Sequence, residues 1–518
     1  MINMKKMLQM LALAMLLLSP QQGWTQTTST ELTNLIVFVR FAGESEIVRS
    51  YDNIDIMYND QSPTYLSVYN FFDALTYGRI HFNTITTNNI HDGYIVSYQD
   101  IHPRNYYQPR SHTNTIGYNE GDTIGGFPVR EVELLERVVR YVDSLGLVDP
   151  DVVLDGDGDG DIDNITFVLN GVTGDWGTIL WPHMGNFPQE LLDHPATING
   201  LPLNTINVLM TERRFSPNTI CHEMGHSLDL PDLYHYYNYT LVSPAGSWDI
   251  MCNSTDGVNH TAAIMKNKYL HVCDDPIRIT ADGDYTLNSV GSSPTRNCYY
   301  IKSFIDSTQW YVLEYRYKHD RFEYGTPATG LLVARWVDTV SLDWYDRSPN
   351  GYFDFHHQAH QYWIFRPGSD VDTVDGSIGS AFFSQASGRT TFGPDTDPHP
   401  YLTDGTPEMS FEITDIRENG PELTFHVHFL VDGIDDVQPD APQLTVWPNP
   451  TTDILRLSCS QPVVASQLFN SLGQQVMHAG SSIMLDLSSL PAGVYLLRVA
   501  LADGGMLSQR VVKVQSAQ

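Results

Sequence analysis

The stretch from Cys221 to Asp232, CHEMGHSLDLPD, narrows what this chain can fold into more than any other part of it. It contains the pattern H-E-x-x-H. On a helix, His222 and His226 lie one turn apart on the same face, so two imidazole nitrogens can meet one metal ion. Glu223 sits between them and can reach a water on that metal without binding the metal itself. A Lewis acid, an acidified water and a carboxylate to take its proton are the minimum apparatus for zinc-assisted amide hydrolysis. Just upstream, Ser216-Pro217 reads as an N-cap followed by proline at the first helical position, which predicts that the stretch is a helix.

Two further spacings sharpen this reading. Asp232 falls six residues after His226, where the longer pattern H-E-x-x-H-x-x-G-x-x-H has its third ligand. Two histidines and one aspartate would leave a fourth position open for water. The segment Gly246-Ser247-Trp248-Asp249-Ile250-Met251 then follows at the distance of a turn that would pass a methionine beneath the metal. HEMGHSLDLPDLY followed by GSWDIM resembles the immune inhibitor A family of secreted, metzincin-like bacterial metalloproteases. The resemblance implies zinc ligands at His222, His226 and Asp232, a general base and acid at Glu223, and Met251 as the Met-turn. It extends over residues of about 33 to 430, and SVYNFFDALTYGRIHF is similar to the start of the same family's catalytic domain. One position departs from the family pattern. Asp229 stands where glycine is usual, at a sharp exit from the helix that calls for positive φ, a conformation aspartate tolerates better than most residues. Asp229 is alternatively a second acidic residue near the metal.

A second metal-binding pattern lies upstream. Asp155-Gly156-Asp157-Gly158-Asp159-Gly160-Asp161-Ile162-Asp163 places carboxylates at every second position, a glycine sixth and an aspartate ninth, as in the first nine places of a calcium loop. Thr166 occupies the twelfth place and a strand follows, so the loop is not a complete EF-hand. Crowded carboxylates repel without a cation, which points to structural Ca2+ on Asp155, Asp157, Asp159 and Asp163. The immune inhibitor A family often has a similar run before this strand, and the resemblance supports the same ion.

Elsewhere the pattern gives a buried strand at Leu35–Val39, further strands at Arg79–Phe82, Ile165–Leu169, Trp176–Pro182 and Ile206–Met210, and helices at Tyr65–Leu75, Glu131–Leu145 and Thr261–His271. Either Trp176–Pro182 or Ile206–Met210 is the candidate edge strand for extended substrate in a metzincin-like domain. His183, a lone histidine, reads as structural. The tyrosines of Tyr234 to Tyr239 either line a cleft or pack beneath it, and His356 to His360 reads as a surface loop. Of five cysteines, Cys221 and Cys252 are either a disulfide or two small buried residues.

The whole chain of 518 residues reads as a multidomain α+β protein. Residues 1–24 have the charged start and short apolar run of a signal peptide. Residues 32–274 form the metzincin-like zinc protease domain. Short alternating strands over 275–430 predict a β-sandwich, 431–443 is an acidic, proline-containing linker, and 444–518 is a small Ig-like β-sandwich. In that last part the series PNP, LFNSLGQ, LPAGVYLLRV and VVKV resembles the C-terminal sorting domain of type IX secretion cargo. This implies the type IX secretion machinery as a partner and a secreted or cell-surface location in a Gram-negative bacterium. A net charge of −32 argues against nucleic acid as a partner, and no segment after the signal peptide is a membrane span. These readings converge on a secreted zinc endopeptidase acting on proteins or peptides. The alternatives are a surface-displayed adhesive protein with an impaired protease domain, and a metal-dependent amidase of non-peptide substrates.

Overall fold

The computed structural model describes residues 29–514 apart from 120, 125, 173–178, 213–214, 235–241, 254–256, 320, 338–359, 373, 431–443, 450, 460–461, 471–473 and 503–505. The signal peptide and the linker therefore lie outside the described residues, as do His235 to Tyr239 and His356 and His357. Residues up to Val431 form one compact unit and those from Asp432 a second.

The first unit is built on a mixed sheet of β1 (Thr30–Arg40), β2 (Ile80–Thr86), β3 (Asn164–Leu169), β4 (His183–Asn186) and β5 (Thr205–Met210), in the spatial order β2-β1-β3-β5-β4. The first four in that order run parallel, and β4 is antiparallel to β5. Residues along β1 are buried without alternation because both faces are covered, as expected of a parallel sheet. On one face α1 (Tyr51–Asn59), α2 (Val68–Leu75) and the helix of the H-E-x-x-H motif pack on Ile36, Phe38, Val168 and Leu209. On the other, α3 (Val129–Ser144) lays Leu135, Val138 and Val142 over Val37, Phe167 and Val208.

The sheet's first face also carries a ladder of amides. Asn164 on β3 donates to Asn34 Oδ1 on β1 (2.7 Å), and Asn207 on β5 donates to Asn164 Oδ1 (2.6 Å) and to Ser227 Oγ (3.0 Å). Asn34 in turn donates to Thr84 Oγ1 on β2. The ladder crosses four strands and ends at Ser227, directly after the motif helix.

The expected elements shift at their ends. The helix sought from Tyr65 begins at Val68, because Ser67 accepts the Asn70 N–H and caps it there. The helix sought over Thr261–His271 is the shorter Ala263–Lys268. Trp176–Pro182 is not a strand in its described part: Ile179 to Pro182 bend, with Leu180 at φ +57°. Ile206–Met210 is internal, and the sheet ends instead on β4.

Beyond residue 275 the chain makes a five-stranded sheet of β6 (Ile277–Arg278), β8 (Tyr299–Lys302), β9 (Gln309–Arg316), β10 (Gly330–Val337) and β11 (Tyr362–Ile364). It faces a three-stranded sheet of β7 (Gly283–Asn288), β12 (Phe411–Asn419) and β13 (Glu422–Phe429). Tyr311, Leu313 and Val333 point into the core between these two sheets, with Phe411, Ile413 and Phe425. The alternate residues Trp310, Val312, Leu332, Ala334, Trp336, Tyr362 and Ile364 join the core that holds the motif helix. The five-stranded sheet is thus buried on both faces, and packing is continuous across residue 275. His360 corrects the surface-loop reading: it is buried and hydrogen-bonded to Asp372 through its backbone N–H.

The second unit has two antiparallel sheets, β14 (Leu444–Trp447), β15 (Ile454–Cys459) and β18 (Met484–Asp486) against β16 (Val463–Phe469), β17 (Gln475–Ala479), β19 (Gly493–Leu501) and β20 (Met506–Lys513). Leu455, Leu457, Leu468, Leu485, Leu497 and Val499 fill the space between them, consistent with a β-sandwich.

Candidate functional site

The motif helix, α4 (Pro217–His226), has proline at its first position and Ser216 in extended conformation at the cap, although the Ser216 side chain makes no capping hydrogen bond. The helix ends in a Schellman turn. The Leu230 N–H reaches Gly225 O (3.2 Å), the Asp229 N–H reaches His226 O (2.9 Å), and Asp229 lies at φ +66°. Asp229 therefore takes the left-handed position that a glycine would fill more easily. This turn sends the chain back across the face of the helix and delivers Asp232 to the two histidines.

His222 Nε2 lies 3.1 Å, and His226 Nε2 3.3 Å, from Asp232 Oδ1. The other ring nitrogens are fixed: His222 Nδ1 donates to Ile250 O (2.8 Å) and His226 Nδ1 to Leu230 O (2.6 Å). One ligand atom from each of the three residues falls within 4.8 Å of the other two, and Asp229 is outside the group. All three side chains are largely buried, as is Glu223. Burial works to lower the His222 pKa, but Asp232 and Glu223 outweigh it and push it up to about 9. Burial works to raise the Asp232 carboxyl, yet the two imidazoles hold it well below the usual carboxylate range. Glu223 is pushed up by burial, with His222 and His226 opposing.

Met251 is buried against α4, its Sδ 3.1 Å from where a Cβ on Gly225 would lie. Glycine at that helical position is what lets the methionine approach. Tyr234 stacks toward His222 with ring centroids 6.1 Å apart.

His183, read from sequence as structural, begins the edge strand β4 next to α4. Its Nδ1 donates to Trp181 O (2.6 Å) and its Nε2 lies 3.3 Å from Glu131 Oε1 on α3. Burial would lower its pKa, but Glu131, and in smaller part Glu223, raise it to about 9. His183 thus shares the electrostatic field of the motif glutamate. Only the sheet order reveals this, since nothing in the sequence marks residues 183–186 as an edge strand.

In the acidic loop, Asp155, Asp157 and Asp159 bring one oxygen each within 4.8 Å of the others. Asp163 is not in that trio: its carboxylate accepts the Thr33 N–H (2.7 Å) and the Gly156 N–H (2.9 Å), pinning the loop to β1. Burial pushes Asp163 up to about 6. All five cysteines are unpaired thiols, so Cys221 and Cys252 are two small buried residues and not a disulfide.

Residues 445–514 match the family described as the secretion system C-terminal sorting domain. This tail supports a type IX secretion cargo, and the chain is secreted or held at the cell surface. No helix among the described residues is long and apolar enough to cross a membrane. No curated protein matches the chain. Among solved structures it is similar to CopC from Methylosinus trichosporium OB3b, at 14% identity over 15% of this chain and 98% of that one, with a TM-score of 0.12. It is also similar to dimeric latent PorU from Porphyromonas gingivalis, at 16% identity over 21% of this chain and 13% of that one, with a TM-score of 0.13. At these TM-scores neither carries an argument about fold or function.

Proposed function

We propose that the chain is a secreted zinc endopeptidase resembling the immune inhibitor A family. The observation that supports this best is the spacing of the trio. Four ligands placed tetrahedrally about 2.0–2.1 Å from a zinc ion are separated by about 3.3 Å. The two Nε2–Oδ1 separations are 3.1 and 3.3 Å. Both Nδ1 atoms are committed to carbonyls, which leaves both Nε2 atoms turned to the same point, the arrangement that orients ligating histidines.

Zinc held by His222, His226 and Asp232 would supply a Lewis acid and an acidified water. Glu223 takes a proton from the attacking water and returns it to the departing amine. Its burial favours that role, because a carboxylate raised toward neutrality is the better proton acceptor. His222 and His226 keep their rings fixed through Ile250 O and Leu230 O. The outer edge of β4 offers backbone groups to an extended peptide, which would place the scissile bond near α4.

The test is metal analysis of the full-length protein alongside digestion of an unfolded protein such as casein. About one zinc per chain is expected, with cleavage at internal peptide bonds that a chelator abolishes and zinc restores. Cleavage that survives complete zinc removal, or no internal cleavage at all, would sink the reading.

The acidic loop is proposed to hold a structural calcium ion on Asp155, Asp157 and Asp159. Gly158 (φ +80°) and Gly160 (φ +99°) permit the bends that turn these carboxylates inward. Calcium is expected to raise the melting temperature by about 2–5 °C at saturating concentration. The Asp157→Ala/Asp159→Ala variant should lose that response. An equal shift in both proteins refutes the assignment.

A further inference from the structure

We propose that Arg366 and Arg316, two arginines from the sheet that follows residue 275, are positioning residues for the metal centre, acting through the segment 243–252. The proposal rests on the zinc reading above.

The ring of His222 is aimed by Ile250 O. The segment carrying that carbonyl has no regular structure beyond a single 3-10 turn, Gly246–Trp248, so its shape is set by what holds it from outside. Arg366, just past β11, donates through Nη1 to Ser243 O (2.5 Å) and through Nη2 to Pro244 O (2.6 Å). Its Nε is committed to Ile364 O (2.9 Å), and the Ile364 N–H itself donates to Pro244 O (3.1 Å). Arg316 on β9 donates through Nη2 to Trp248 O (2.6 Å) and to His260 O (2.8 Å), while Glu323 and Glu314 hold its other nitrogens. Trp248 Nε1 donates to Ile378 O (2.8 Å).

Within the segment, Asp249 accepts the Met251 N–H (2.9 Å) and the Ala262 N–H (2.8 Å), bracketing Ile250 between two fixed neighbours. Both arginine side chains are fully buried. Leaving carbonyls 243 and 248 without donors, and carbonyl 244 with the Ile364 N–H alone, would let the segment rearrange, and the aim of His222 with it. The planar guanidinium fork is what spans two adjacent carbonyls. A lysine keeps the charge but not the fork.

The experiment measures zinc affinity of the full-length chain by competition with a chromophoric chelator. Wild type is compared with Arg366→Lys and Arg335→Lys, each first shown to be folded by near-UV circular dichroism. Arg335 is equally buried in the same sheet, but its partners are Asp372 and Tyr401 O, away from residues 243–252. Arg366→Lys is expected to weaken zinc binding about 10–100-fold, the usual loss when an outer support of a ligand is removed. Arg335→Lys is expected to lower the melting temperature and leave zinc affinity unchanged. Wild-type zinc affinity in folded Arg366→Lys overturns the proposal, as does an equal loss in Arg335→Lys. If Arg366→Lys does not fold, Trp248→Phe removes a different anchor of the same segment, and unchanged affinity there overturns it too. A wild-type chain that binds no zinc overturns the metal reading itself, and this proposal with it.

Discussion

Glu223→Gln is expected to reduce proteolysis by about 10²–10⁴-fold while the protein keeps its zinc. Glutamine has the same shape and fits the same buried position, but its amide cannot take up a proton. Glu223 is outside the trio of His222, His226 and Asp232, so its loss should not empty the site. The two effects are separable in one preparation, by measuring turnover of a protein substrate and zinc per chain. An aspartate among the ligands leaves more negative charge at the site than a third histidine would, so less acidification of water is available from the metal. The base then carries more of the burden, which places the expected loss toward the upper end of the range. Activity within tenfold of wild type would refute the assigned role. Equal, undetectable cleavage by both proteins would favour the surface-displayed binding protein.

A chain that stops at Asp274 is expected to show no cooperative unfolding transition. Seven apolar side chains of the five-stranded sheet, Trp310, Val312, Leu332, Ala334, Trp336, Tyr362 and Ile364, belong to the same core as Ile220, Met224 and Met251. At about 1.5–3 kcal/mol for each large side chain, their removal costs on the order of 10–20 kcal/mol. That is as large as the whole stability of an ordinary domain, about 5–15 kcal/mol. The truncation also strips the donors from Ser243 O, Pro244 O and Trp248 O. Thermal denaturation followed by circular dichroism is the check, with a chain ending at Val431 as the reference that should melt normally. A sharp melt in the shorter chain would show that the first 274 residues need nothing beyond themselves.

The parts legible in the sequence are those whose signal is local. Leu35–Val39, Ile165–Leu169 and Ile206–Met210 are short β-branched runs and all lie in strands. The helix of Glu131 to Leu145 shows its apolar stripe and occurs as Val129–Ser144. His222, His226 and Asp232 were brought together by spacing alone. Other features depend on partners far along the chain. His183–Asn186 (HMGN) has no apolar alternation, so an edge strand there is invisible until β5 is in place. Tyr51–Asn59 buries only Ile54 and Tyr58 and gives little amphipathic signal. Tyr311–Tyr315 and Gly330–Ala334 read as short strands and lie within longer ones, Gln309–Arg316 and Gly330–Val337, but alternation cannot say that both faces are covered. Nor does any sequence pattern announce that Arg316, Arg335, Arg366 and His360 are buried, since their burial follows from acceptors supplied by distant segments.

The amide ladder of Thr84, Asn34, Asn164, Asn207 and Ser227 bears on how many ways this sheet can be assembled. Side chains alternate between faces, so sliding any one strand by a single residue would swing its asparagine to the opposite face, where Leu35, Val37, Ile165, Phe167, Ile206 and Val208 lie beneath α3. There the amide would be stranded without a counterpart, at a cost of about 1–3 kcal/mol for each group. Misaligned pairings are thereby penalised at several points at once. Because Ser227 is the last rung, the correct alignment of the strands and the seating of the motif helix are selected together.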